Sequence, residues 1–236
     1  MSAVVSAVKL HLNQRHTTFL VPLLIAGMVA VISILISLIF WRSGSTPGTA
    51  DWIAGSQSNP GIANALIGFL IYLGVASVAT TFPFALTLGS TRRAFAVGTL
   101  LWNGLTALYI AVILALLLVV ELATDHWFVG FYVFDVFIIG AGDIGRLLLI
   151  VFLGVLTSLS IGGVFGAAWL RYGARGPQLV AVGVVLVLAV VAMIAIPDAS
   201  SIAAAFQLWW LAVAGVVVTV LASTGSWLLL RSAIVR

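Results

Sequence analysis

Arg92 and Arg93 are the only adjacent arginines in the chain, and they sit in the phrase Thr81-Phe-Pro-Phe-Ala-Leu-Thr-Leu-Gly-Ser-Thr-Arg-Arg-Ala-Phe95. Two guanidinium forks on a short loop can grip carboxylates or carbonyls of a partner. They can equally act as plain topology anchors that meet anionic lipid. Enzyme chemistry has less to work with. The nucleotide P-loop, the H-E-x-x-H zinc helix and the G-x-S-x-G nucleophile elbow are all missing. There are three histidines, His11, His16 and His126, and no cysteine, so disulfides and thiolate metal sites are excluded. No enzyme activity and no cofactor are expected in this chain. Between its charged ends the chain offers only Asn64, Asn103, hydroxyls and aromatics. A proton- or sodium-driven carrier needs a carboxylate or histidine at depth, where such groups are costly and functional. Any transport by this chain therefore draws its energy from outside it.

The elements that carry these residues are long apolar runs. They cover about residues 19–41, 62–88, 95–120, 147–170, 178–196 and 208–230. About 20 apolar residues in a helix match the ~30 Å hydrocarbon layer. The composition, 63% hydrophobic and 7% charged, is far from the roughly 25% charge of soluble domains. The charges are also sorted by sign. With both termini on one side, that side collects Lys9, Arg15, Arg92, Arg93, Arg171, Arg175, Arg231 and Arg236. The other side receives Arg42, Arg146 and all the acids: Asp51, Glu121, Asp125, Asp135, Asp143 and Asp198. Cations near short loops mark the cytoplasmic face. The expectation is an all-α membrane protein, residues 1–236 forming one transmembrane domain of six helices with both termini in the cytoplasm. Cations scattered through loops are not a nucleic-acid footprint.

Smaller features refine this picture. Before the first span, Val4, Val5, Val8 and Leu12 share one helical face, and Lys9, Asn13 and His16 share another. That pattern predicts an amphipathic helix within residues 1–18, lying in the headgroup layer. Residues 42–61, rich in Gly, Ser, Thr, Pro and Asn, read as a mobile external loop. Residues 126–140, HWFVGFYVFDVFIIG, are aromatic but short and contain Asp135. They read as an interfacial or re-entrant segment between spans three and four. In it Asp135 is expected as a solvated loop acid, with His126 simply interfacial. Asp143 is expected to cap span four and pair with Arg146. Gly154, Ser158, Gly162 and Gly166 form a small-residue stripe on span four, for internal packing or for a dimer contact. Asn103 is a packing bond or a substrate contact. Pro83, in span two, is a static kink or a hinge, with Thr80 and Thr81 near enough to satisfy the carbonyl it frees.

The Thr81–Phe95 phrase resembles the permease subunits of bacterial type-2 ATP-binding-cassette exporters, in particular small actinobacterial six-span permeases. There a phrase like FPF-x5-G-x-TRR-x-F joins spans two and three. The amphipathic start, the six spans and the aromatic segment after Ala123-Thr-Asp-His-Trp127 agree with it. The resemblance implies a plasma-membrane exporter. A separate cytoplasmic ATPase, holding ATP and magnesium, would dock on Gly89, Ser90, Thr91, Arg92, Arg93 and Phe95. A second permease chain, identical or paralogous, would complete the path. The alternative is a non-transporting membrane protein: an immunity factor, sensor or assembly scaffold.

Overall fold

The computed structural model describes residues 3–12, 16–205 and 207–233. Asn13, Arg15 and Arg236, which entered the charge and amphipathicity arguments, lie outside the described residues. The elements are α1 (Ala3–Leu12), α2 (Val21–Arg42), α3 (Ala50–Gln57), α4 (Gly61–Thr87), α5 (Arg92–Ala123), α6 (Ile144–Tyr172), α7 (Arg175–Ala195), α8 (Ala199–Ala205) and α9 (Leu208–Arg231). A π-helical turn, His16–Leu20, leads into α2. Six helices are long and apolar enough to cross a membrane. They begin and end within a few residues of the apolar runs, but α5 and α6 each start three residues earlier than hydropathy marks.

α6 is the hub, packing against α4, α5, α7 and α9. The most extensive crossing is with α4. A Cβ on Gly162 would lie 2.2 Å from the Ile71 carbonyl oxygen and 2.9 Å from Gly74 Cα. A Cβ on Gly166 would lie 2.7 Å from the Val75 carbonyl oxygen. Only hydrogen fits at these points, which is how small residues bring two backbones into contact. Ser158 is buried and bonds back to the Gly154 carbonyl, whereas Gly154 itself faces open space. The stripe is therefore internal packing over Gly162 and Gly166, completed by Gly74 on α4. On the facing side of α6, Thr157 donates to the Gly215 carbonyl at 3.2 Å and meets the Thr219 hydroxyl at 3.0 Å, tying α9 in.

The outer helices are loosely held. α7 buries only Gly176, whose absent side chain lets α7 approach Ala168. α2 buries Pro22, Ala26, Ser33 and Ser37, one narrow stripe. Their remaining apolar surface suits hydrocarbon rather than water. α4 runs unbroken through Pro83. The Thr80 hydroxyl donates to the Ala76 carbonyl, not to the Ala79 carbonyl that a proline at this position frees.

The loop expected to be mobile contains α3. Its N-cap is Thr49, whose hydroxyl oxygen accepts the Trp52 amide, and Asp51 stands in the first turn, where negative charge is favoured. α1 is also turned from its expected face. Ala7 and His11 are the buried positions, Val5 is exposed, and α1 packs on α5 rather than spreading its valines alone. Gly98 makes room for it, since a Cβ there would lie 2.6 Å from Ala7 Cβ.

Candidate functional site

The turn joining α4 to α5 is fixed at both helix ends. α4 stops in a Schellman arrangement: Ser90 N donates to the Ala85 carbonyl and Gly89 N to the Leu86 carbonyl, each at 3.0 Å. Gly89 supplies the positive φ, +79°, that this exit requires. Of the two hydroxyls able to cap α5, Thr91 does so, accepting the Ala94 amide at 3.1 Å. Arg92 and Arg93 are thus the first turn of α5, not a loop. Phe95 is fully buried, edge-on to Phe82 at 5.1 Å.

The two arginines have different fates. Arg92 donates from Nη1 to the Leu230 carbonyl at 2.6 Å and lies over the Phe82 ring, 5.9 Å from its centre. It is a clamp between this turn and the last turn of α9, so of the two guanidiniums expected to grip a partner, Arg92 is already engaged within the chain. Arg93 is the exposed one. Motion imposed on this turn would reach three spans at once: α4 through the Schellman turn, α5 directly, and α9 through Arg92.

His11 closes the same end. Its Nε2 lies 3.0 Å from Thr99 Oγ, and its ring stacks on Trp102 with centres 4.9 Å apart. The Thr99 hydroxyl proton is spent on the Phe95 carbonyl, so Nε2 carries the proton and donates to Thr99. Burial lowers the His11 pKa to about 4. The unfolded chain titrates near 6.5, so docking of α1 is fully stabilised above that pH and weakens as pH falls toward 4. Each pH unit in that window costs roughly 1.4 kcal/mol at the limit. Protection of the α1 amides against hydrogen exchange, corrected for the intrinsic rate at each pH, should fall markedly between pH 6.5 and 4, and His11→Phe should abolish that fall. Corrected protection that does not change with pH in the parent protein would refute the coupling.

The opposite, acid-rich end holds an arrangement that sequence reasoning missed. Glu121, the one acid on α5, is fully buried. Its Oε1 accepts the amides of Val133 at 3.0 Å and Asp135 at 3.2 Å. Its Oε2 accepts the Phe134 amide at 2.7 Å and the Trp127 indole at 3.2 Å. Asp135 is buried, correcting its assignment as a solvated acid. It accepts from Gln57 Nε2 and from His126 Nε2, each at 3.1 Å. The indole of Trp52 on α3 donates to the Gly130 carbonyl at 2.7 Å. The aromatic segment is therefore a folded cap over the bundle, clasped to α3. Its backbone turns the unusual way: Asp125, His126, Trp127 and Phe128 all have positive φ, from 50° to 65°. A left-handed turn of L-residues costs roughly 1–2 kcal/mol per residue and persists only when over-determined. Here the Phe128 amide on the Thr124 carbonyl and the four bonds to Glu121 hold it. Burial, then the carboxylates of Asp135, Asp125 and Glu121, push the Tyr132 phenol up, so it stays a donor at neutral pH. Asp143 caps α6 at 3.0 Å and pairs with Arg146 at 3.4 Å, as its spacing suggested.

Among the described residues no group of three or more His, Asp or Glu side chains has metal-site geometry. Asn103 is buried at the α5–α6–α9 seam, and its amide oxygen makes no hydrogen bond there. The signals for the cap were faint: a glutamate one residue past an apolar run, and the glycines Gly130, Gly140 and Gly142 around the aromatics. Comparison with models of known families, with curated proteins and with solved structures found no match to this chain.

Proposed function

We propose that this chain is the permease subunit of an ATP-driven exporter in a bacterial plasma membrane, with a separate cytoplasmic ATP-binding-cassette ATPase docking on its basic end. Both termini then face the cytoplasm, and the acid-rich cap faces outward. ATP and magnesium are held by the partner, and a second permease chain, identical or paralogous, completes the path for a hydrophobic, lipid-like, peptide or drug cargo.

The observation that carries this reading is the stiff first turn of α5. A subunit driven from outside needs a surface that receives force and a rigid link that spreads it. The exposed Arg93 offers the first. The capped turn and the Arg92–Leu230 bond offer the second. The resemblance of the Thr81–Phe95 phrase to exporter permeases points the same way. Nucleotide closes the ATPase pair, and the permease follows because one of its states binds the closed pair more tightly.

The test is capture from native membrane with the neighbouring ATPase, in parent and variant chains. Arg93→Glu should reduce ATPase recovery at least tenfold, because it inverts the exposed charge. Arg92→Ala should leave recovery intact but lower cargo-stimulated ATP hydrolysis several-fold, because it cuts the link to α9. Normal recovery and normal stimulation in both variants would leave the arginines as topology anchors and remove the case for a motor-driven subunit.

A further inference from the structure

Between α2, α3 and the cap, the acid-rich end encloses a cavity of about 620 Å³. That volume lies within the range of small-molecule sites, ~300–1,000 Å³, and far above a packing defect. Its walls differ in kind. Ile36 and Phe40 of α2 form an apolar side continuous with the exposed face of that helix. Ser45, Thr46, Thr49 and Ser56 line the other side with hydroxyls, beside the rings of Trp52 and Tyr132.

Two features mark the cavity as built for a ligand. α2 carries only two hydroxyl residues, Ser33 and Ser37, and both are buried and line this space. Ser33 accepts from Asn59 Nδ2 at 3.1 Å, while the Ser37 hydroxyl makes no hydrogen bond among the described residues. The floor is also held in place. Trp52 is locked by the Gly130 carbonyl, and Tyr132 packs on His126 with ring centres 4.0 Å apart. Aromatic walls with hydroxyl groups that both donate and accept suit a neutral polyol. One carboxylate, Asp51, stands at the exposed rim, too little for a site dedicated to cations.

We propose that this cavity binds the polyhydroxyl head of a sugar-bearing amphiphile, whose acyl or alkyl tail leaves along α2 into the hydrocarbon layer. The head exchanges water for Ser37, Ser45, Thr46 and Ser56, and stacks against Tyr132, with the buried Trp52 behind it. The tail needs no protein pocket, because α2 is already exposed to lipid beside the opening. This goes beyond the transport reading: the site binds whether or not an ATPase joins the chain.

The probe is an alkyl glucoside with a diazirine on the first carbons of its tail, next to the sugar, added to the full chain in lipid nanodiscs. Labelling is mapped by mass spectrometry. Adducts should fall between residues 33 and 59 and disappear with excess unlabelled alkyl glucoside. Gly55 lines the cavity on α3, and a Cβ there meets nothing within 4 Å. Gly55→Phe therefore fills the space without straining the backbone and should cut labelling at least tenfold. Gly183→Phe, on the exposed surface of α7 and outside the cavity, should change labelling less than twofold. Undiminished labelling in a Gly55→Phe chain that keeps the parent melting temperature would overturn the site. Equal competition by an alkyl trimethylammonium of the same length would overturn the polyol assignment. Competition by free glucose at the concentration of the alkyl glucoside would overturn the amphiphile.

Discussion

Glu121→Ala should destabilise the chain by about 4 kcal/mol and release the whole segment between α5 and α6. Four N–H groups point at this one carboxylate, three of them backbone amides. An unsatisfied buried donor costs about 1–3 kcal/mol, and alanine offers none of them an acceptor. The loss is not a simple sum, since the freed cap can move and recover water. It still belongs among the exceptional single-residue effects. Glu121→Gln keeps one acceptor and turns the other toward N–H groups as a donor, so an intermediate loss is expected. Thermal unfolding in nanodiscs gives the magnitude, and limited proteolysis within residues 124–143 gives the location. A Glu121→Ala chain that melts with the parent and resists cleavage there would show that the cap stands without its carboxylate.

Gly162→Val should be the next most damaging change, and Gly154, at the other end of its stripe, should not follow it. The nearest atoms to a Cβ at 162 are backbone atoms of α4, which cannot rotate away as a side chain would. Overpacking ordinarily costs about 1–3 kcal/mol, and contact with backbone belongs at or above the top of that range. Gly154→Ala meets nothing within 4 Å and should be neutral or mildly stabilising, because alanine favours helix. Differential scanning fluorimetry of the two variants separates internal packing from a dimer face. Equal damage at both positions would mean that a second chain reads the whole stripe.

Much of the bundle was legible because a membrane helix announces itself by length and hydropathy, both local properties. The ends were less so. Hydropathy stops at the first charge, but α5 starts at Arg92, since a cation whose donors find a carbonyl on α9 need not end a helix. The cap at the acid-rich end was hidden for a different reason. Asp135 looks solvated because its partner Gln57 is 78 residues away in sequence, and no local pattern foretells that meeting. α3 was disguised by glycine and serine around it, although Thr49 followed by Asp51 is a helix-start signal that composition outweighed. On α1 the valines drew the eye, while the contact that matters is a histidine stacked on Trp102. The Gly89–Phe95 turn was the most transparent element, because its cap and exit residues act within the turn itself.

The run of reversed handedness from Asp125 to Phe128 bears on the order of assembly. A nascent chain rests in right-handed or extended wells, so these four residues adopt their final shape only once Glu121 and Thr124 are in place to seize them. Until then the Glu121 carboxylate needs water in place of those four N–H groups. Closure of the cap over the bundle therefore follows the folding of α5 rather than preceding it.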